Sequence, residues 1–160
     1  AQAGSVKAGK DQNRKDLTAI VIAHNPAYVA QAVPSLPNDF MTKVQEALKA
    51  DGPSFINVLA PCHRGWRCKP DTGIEIAQLA VETCFWPLFK WERPGRLTIT
   101  YKPKEKRPVA EWIKLQGRFK HLEEPRNRHI IDELQAEVDR KWNELLAMEA
   151  ATQAAQSKAG

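Results

Sequence analysis

At 160 residues, with 42% hydrophobic and 27% charged side chains, the chain has the size and make-up of one globular domain with a modest core. No apolar run approaches the ~20 residues that span a bilayer, and the polar opening lacks the apolar stretch of a secretory signal, so a cytoplasmic protein away from membranes is expected. The net charge of +5 is spread along the chain, and its densest stretches, residues 102–107 and 118–121, carry no aromatic interleaving of the kind a nucleic-acid platform needs.

Residues 1–15, rich in Ala, Gly, Lys and Gln, cannot build a core and read as a polar arm or loop that continues from a missing upstream segment. Asp16 is placed to cap a helix over residues 17–24, although Ile20, Val21 and Ile22 also suit a strand. Pro26 ends that segment. Residues 28–33 read as a short strand, and residues 34–37 as a turn. Asn38 is the expected cap of a helix over residues 39–50, with Phe40, Val44, Ala47 and Leu48 at helical spacing and Gly52 as the stop.

Residues 54–60, SFINVLA, form a short apolar run between Gly52-Pro53 and Pro61, the mark of a buried strand. Strand, helix, strand in that order is the crossover unit of a parallel sheet. A loop over residues 62–70 comes next. Asp71 or Thr72 then caps a helix carrying Ile74, Ala77, Leu79, Val81 and Cys84. Residues 85–91 and 97–101 read as a hairpin about Arg93-Pro94-Gly95. Pro108 opens a short helix with Val109, Trp112 and Ile113. Residues 127–148 make the clearest helix, with Ile131, Leu134, Val138, Trp142, Leu145 and Leu146 in one stripe. Residues 149–160 read as a flexible tail. The fold expected is α/β over residues 16–148, a parallel sheet with an added hairpin and a long C-terminal helix.

Three cysteines, Cys62, Cys68 and Cys84, are an odd number for a disulfide framework. Cys62 comes directly after the carboxyl end of the strand over residues 54–60, where ligands gather in open α/β sheets. His63 and Arg64 stand beside it, and Gly65 tightens the loop. Taken from the residues alone, Cys62 is either an inert thiol or one ligand of a metal centre whose other ligands lie elsewhere. A zinc site from Cys62, His63 and Cys68 is disfavoured by the spacing. Cys84, on an apolar helix face, reads as core. His24 and Asn25 read as helix-end residues, and His121 and His129 as exposed.

Five collinear blocks carry more information than any single motif: KDLTAIVIAHNPAYVAQA, GPSFINVLAPCHRGWR, IEIAQLAVETCFWPLF, LTITYKPKEKRPVAEWIKLQGRFKHL and RHIIDELQAEVDRKWNELL. Through them the chain resembles the beta subunit of 2-oxoacid:ferredoxin oxidoreductases, above all the pyruvate enzyme, from about Lys15 to about Leu146. The resemblance implies the C-terminal half of a thiamine-diphosphate-binding domain. It implies an enzyme complex that oxidatively decarboxylates a 2-oxoacid, forms an acyl-coenzyme A and passes electrons through [4Fe–4S] clusters to ferredoxin. Branched-chain 2-oxoacid enzymes share much of the pattern, and a non-catalytic interaction domain that kept only the fold is a further alternative.

By the same resemblance Cys62, in the A-P-C-x-x-G-W loop, is the fourth ligand of a [4Fe–4S] cluster. The other three cysteines, and the Gly-Asp-Gly motif that holds thiamine diphosphate and Mg2+, are implied to precede residue 1. No catalytic residue and no thiamine-binding residue is then expected within this chain. Its implied partners are the upstream half of the subunit, the other oxidoreductase subunits, ferredoxin, the 2-oxoacid and coenzyme A. Activity of the chain alone is not expected.

Overall fold

The computed structural model describes residues 14–157, so the arm expected at residues 1–15 lies almost wholly outside the described residues. Helix α1 (Leu17–Ala23) begins where the Asp16 side chain accepts the Ala19 amide at 3.0 Å, which decides residues 17–23 as helix over strand. Asn25 turns left-handed at φ 52° and leads into β1 (Tyr28–Ala32), which is buried along its whole length. Helix α2 (Pro37–Lys49) starts a little earlier than the cap at Asn38 would allow. Leu36 holds the cap position and Pro37 the first turn, because proline's missing N–H and fixed φ suit that place.

Strand β2 (Ser54–Val58) returns parallel to β1, Tyr28 opposite Ser54 and Ala32 opposite Val58. Next come a one-turn helix α3 (His63–Trp66), a 3-10 turn (Pro70–Thr72) and α4 (Gly73–Glu82). Thr72 stands before α4, yet its hydroxyl donates to the Lys69 carbonyl at 2.8 Å instead of capping the helix. Strands β3 (Leu88–Glu92) and β4 (Arg96–Tyr101) form the expected hairpin. Helix α5 (Val109–Lys114), a 3-10 segment (Gly117–Glu123) and the long α6 (Arg128–Ser157) complete the chain.

The sheet is mixed, which corrects the parallel sheet expected. Its order is β2-β1-β3-β4, with only β1 and β2 parallel. The hairpin does not stand apart: β3 runs antiparallel beside β1. It is held there by Trp86 Nε1 donating to the Ala32 carbonyl at 3.0 Å and Gln31 Nε2 to the Pro87 carbonyl at 2.8 Å.

Each face of the sheet has its own layer. On one, α2 lies over β1 and β2, and Lys43 and Glu46 reach sideways from it. Lys43, only 1% exposed, donates to the Gln31 carbonyl (2.8 Å), Asp39 (2.6 Å) and Thr100 (2.8 Å). Glu46 accepts from Tyr28 at 2.8 Å and from Lys90 at 2.6 Å. A buried amine persists when its protons all find acceptors. Burial still pulls the Lys43 pKa below the ordinary lysine value, with Asp39 working the other way.

On the other face lie α1 and α6. Val29, Phe89, Trp91, Leu97, Ile99 and Leu145 make an apolar cluster there, joined by Val21, Ile22 and Phe55. Thr18 is wholly buried in this layer, donating to Gln31 at 2.7 Å and accepting from Asn57 at 3.0 Å. A second core, built on α4, α5, Trp66, Trp86 and Trp112, adjoins it, and Trp142 of α6 touches both. Trp112 and Trp142 therefore pack within this chain.

Further departures from expectation include the loop over residues 62–70, where Cys62 caps the helical turn α3, and also β2 and the C-terminal helix. The strand expected to be buried, β2, is only half covered, its ends Ser54 and Val58 exposed. Helix α6 runs on through residues 149–157, where a tail is expected from the sequence. The alanine-rich AATQAA favours helix, and Glu149 and Thr152 bind β4. Among the described residues no helix is long and apolar enough to cross a membrane.

Candidate functional site

The loop after β2 is built to hold one sulfur at the surface. Leu59 still donates to the Ala32 carbonyl at 3.1 Å, so the strand's direction persists to within three residues of Cys62. Cys62 then caps α3: its Sγ accepts the Gly65 amide at 3.4 Å, and its carbonyl accepts Trp66 at 2.8 Å. Arg67 ends the turn in a left-handed conformation, φ 53°, and Cys68 donates back to the His63 carbonyl at 3.1 Å. Cys62, His63 and Arg64 are exposed.

Trp66 is the anchor of this loop. It is buried against Trp112, edge to face at 6.0 Å between ring centres. The Arg118 guanidinium lies 4.6 Å over the Trp66 ring and 4.5 Å over Phe119, and donates to Gln116 at 2.9 Å. Cation–ring contacts of this kind are worth about 0.5–2 kcal/mol. Burial lowers the Arg118 pKa from its ordinary value. Gly117 closes the other side of the loop, donating to the Arg67 carbonyl at 3.1 Å.

Gly65 leaves a hollow beside the thiol: a Cβ there would stand 3.5 Å from Cys62 Sγ. A cysteine sulfur that accepts a backbone N–H is compatible with thiolate ligation of an iron–sulfur centre. Among the described residues no three of His, Cys, Asp and Glu gather to hold a metal. Cys68 is half-buried and Cys84 buried, all three thiols unbridged. Cys84 stands just past α4 at φ 58°, and burial pushes its thiol up to about 11 from 9.0.

The remaining candidates are structural. His24 ends α1 and Asn25 turns the chain. His129 is exposed and His121 half-buried. The basic stretch at residues 102–107 is largely spent inside the molecule: Lys102 pairs with Glu149, Lys106 with Asp139, and Arg107 with Glu82 and Glu111. A cleft of about 220 Å³ between α1, β3 and α6 is floored by Trp86 and Phe89 and does not include Cys62. Arg118 and Gly117 escaped sequence reasoning, since nothing in the QGRF stretch announces a ring stack on Trp66 some 50 residues earlier.

No family model matches the chain. Individual curated proteins do. It is 48% identical over 153 residues to the pyruvate synthase subunit PorB of Thermotoga maritima, covering 95% of this chain and 47% of that protein. It is 46% identical over 139 residues to PorB of Methanocaldococcus jannaschii, covering 87% of this chain and 45% of that protein. The ketoisovalerate oxidoreductase subunit VorB of Pyrococcus furiosus is 42% identical over 135 residues, 84% of this chain and 42% of that protein.

The chain is thus a relative of 2-oxoacid:ferredoxin oxidoreductase subunits, in agreement with the five blocks. Within that group it resembles the beta subunit of the pyruvate enzyme, PorB, at up to 48% identity. It spans somewhat less than half the length of the curated relatives it matches.

Proposed function

We propose that this chain serves as part of the beta subunit of a cytoplasmic 2-oxoacid:ferredoxin oxidoreductase acting on pyruvate, in which Cys62 supplies one thiolate to a [4Fe–4S] cluster. The observation that carries the reading is the Cys62 loop: an exposed sulfur, anchored by Trp66, after the carboxyl end of a parallel strand. Kinship with PorB supplies the reaction class.

The chain's own residues hold and orient the sulfur. The Gly65 N–H partly neutralises charge on it, and the Trp66–Arg118 stack fixes the direction in which it points. The cluster, when bound, supplies one-electron transfer out of the enzyme. The other three thiolates, thiamine diphosphate, Mg2+, the coenzyme A site and the ferredoxin contact are assigned to the rest of the subunit and its partner subunits. The carbon chemistry is assigned to those parts as well.

The 42% identity to VorB favours a second reading, the same chemistry on a branched-chain 2-oxoacid. A substrate panel separates the two.

The test is the iron and acid-labile sulfide content of the anaerobically assembled complex, wild type against Cys62→Ala. Loss of about four iron atoms per complex supports the reading, because a [4Fe–4S] centre is held by four ligands. Unchanged iron with full turnover makes Cys62 structural and moves a non-catalytic scaffold role ahead.

A further inference from the structure

Arg118 has no counter-charge among the described residues. The other lysines and arginines withdrawn from solvent there each face a carboxylate: Lys43 pairs with Asp39, Lys90 with Glu46, Lys106 with Asp139 and Lys141 with Glu137. Arg118, half-buried, faces none. Its Nε donates to the neutral Gln116 side-chain oxygen at 2.9 Å, and the titratable group it interacts with is the Cys68 thiol. The rings of Trp66 and Phe119 and, at 5.9 Å, Trp112 surround it. Withdrawing a cation from water without a counter-charge is costly, and a neutral side chain would cover Trp66 without that cost.

The guanidinium is held in place. Gln116 is buried, and its amide is fixed from both ends: Nε2 donates to the Trp112 carbonyl at 2.8 Å, which turns Oε1 toward Arg118. The ring that Arg118 covers belongs to the residue that closes the Cys62 turn, since the Trp66 N–H donates to the Cys62 carbonyl. Gly117, just before Arg118, donates to the Arg67 carbonyl of the same loop. The charge therefore stands on the buried side of the loop that presents the sulfur, where water screens it least. Arg64, Arg67 and Lys69 belong to that loop too, but they are exposed and solvent screens them.

We propose that Arg118 sets the reduction potential of the iron–sulfur centre that Cys62 ligates, its fixed positive charge favouring the reduced state. This rests on the reading of Cys62 as a cluster ligand and adds a residue to it. Each electron the centre takes up adds one negative charge, and the net charge around a cluster is one of the quantities that fix its potential. Arg118 acts through space, as a positioned charge rather than a catalytic residue.

The test is a redox titration of the anaerobically assembled complex, followed by the electron paramagnetic resonance signal that Cys62→Ala abolishes. Arg118→Gln removes the charge. It should lower the midpoint potential by a tenfold or larger change in the reduction equilibrium, about 59 mV for one electron. Arg118→Lys keeps the charge and should stay near the wild-type value. Gln116→Glu leaves Arg118 on its rings and sets a carboxylate against the guanidinium, so it should lower the potential in the same direction, and it serves where Arg118→Gln loads no iron. Arg64→Gln, which removes an exposed charge of the same loop, should shift the potential less.

An unmoved potential in Arg118→Gln, or in Gln116→Glu where the first variant loads no iron, would overturn the proposal. So would an equal shift in Arg118→Lys, which would make the effect one of packing, or in Arg64→Gln. Failure of both charge variants to load iron would make Arg118 a structural prop of the loop and overturn it as well. In all these cases wild-type iron that depends on Cys62 leaves the function standing. Iron indifferent to Cys62→Ala removes the function's reading, and the proposal with it.

Discussion

Gly117 stands against Arg67 with no room for a side chain between them: a Cβ at Gly117 would come 2.8 Å from the Arg67 carbonyl oxygen. The same pair is joined by the Gly117 amide at 3.1 Å, so any added atom must push apart the segment that carries Arg118 and the loop that carries Cys62. Overpacking of this kind costs about 1–3 kcal/mol. Gly117→Ala should lower the denaturant midpoint by a corresponding amount. A midpoint equal to wild type would mean that the two segments are not clamped.

Gly65→Ala probes the same loop from the other side. Alanine suits a helical turn better than glycine by up to about 1 kcal/mol, so the unfolding midpoint should hold or rise. The new methyl sits 3.5 Å from Cys62 Sγ and fills the flank that a cluster would approach. Iron content of the assembled complex should fall while stability does not. A variant with full iron would remove Gly65 from the ligand's surroundings.

The three thiols should label in a fixed order. Cys62 is exposed, Cys68 half-buried and Cys84 buried, so N-ethylmaleimide under mildly alkaline conditions should modify Cys62 first and Cys84 only as fast as the chain unfolds. Mass spectrometry of timed samples reads the order, and early modification of Cys84 contradicts the burial described. Burial also makes stability depend on alkaline pH through Cys84. Its folded pKa is raised from 9.0 to about 11, so the unfolded chain gives up the proton first. The thiol's stabilising contribution is complete below pH 9 and drains away as pH climbs toward 11. Cys84→Ala should show a shallower alkaline decline than wild type.

Glu149 tests the contact between α6 and the β4 edge of the sheet. Its carboxylate accepts Ile99 N–H at 2.7 Å and pairs with Lys102 at 2.5 Å, and it is buried. Glu149→Ala strands a buried amide and should cost about 1–3 kcal/mol. Glu149→Gln keeps an acceptor for Ile99 and should lose less. Equal losses in the two variants, measured by thermal melts, would show that the charge on Glu149 matters and its hydrogen bond to Ile99 does not.

Much of this architecture is legible residue by residue. Asp16, the strand at Tyr28, the hairpin at Arg93-Pro94-Gly95 and the stripe from Ile131 to Leu146 announce themselves through caps, turns and periodicity. What escaped depended on contacts remote in sequence. Lys43 sits within the arc of Phe40, Val44 and Ala47, and beside Asp39 it is the remote Thr100 hydroxyl and Gln31 carbonyl that explain a lysine there. The SFINVLA run looks buried because its residues are apolar, whereas β2 stands at an edge of the sheet with only β1 beside it among the described residues. At the site, the local pattern placed Cys62 after the carboxyl end of β2 but left its role open and did not announce the turn α3. The Arg118 stack was not legible, because ring packing across some 50 residues leaves no periodic trace.

The parallel pairing of β1 and β2 also fixes a polarity. Parallel strands end on one side of their sheet, and Cys62 comes after the carboxyl end of β2. β1 ends there too, so the turn at residues 33–36 leaves the sheet on the same side as the Cys62 loop, whereas the Gly52-Pro53 turn lies at the opposite end. Chain direction alone thus selects which loops border the thiol's end of the sheet.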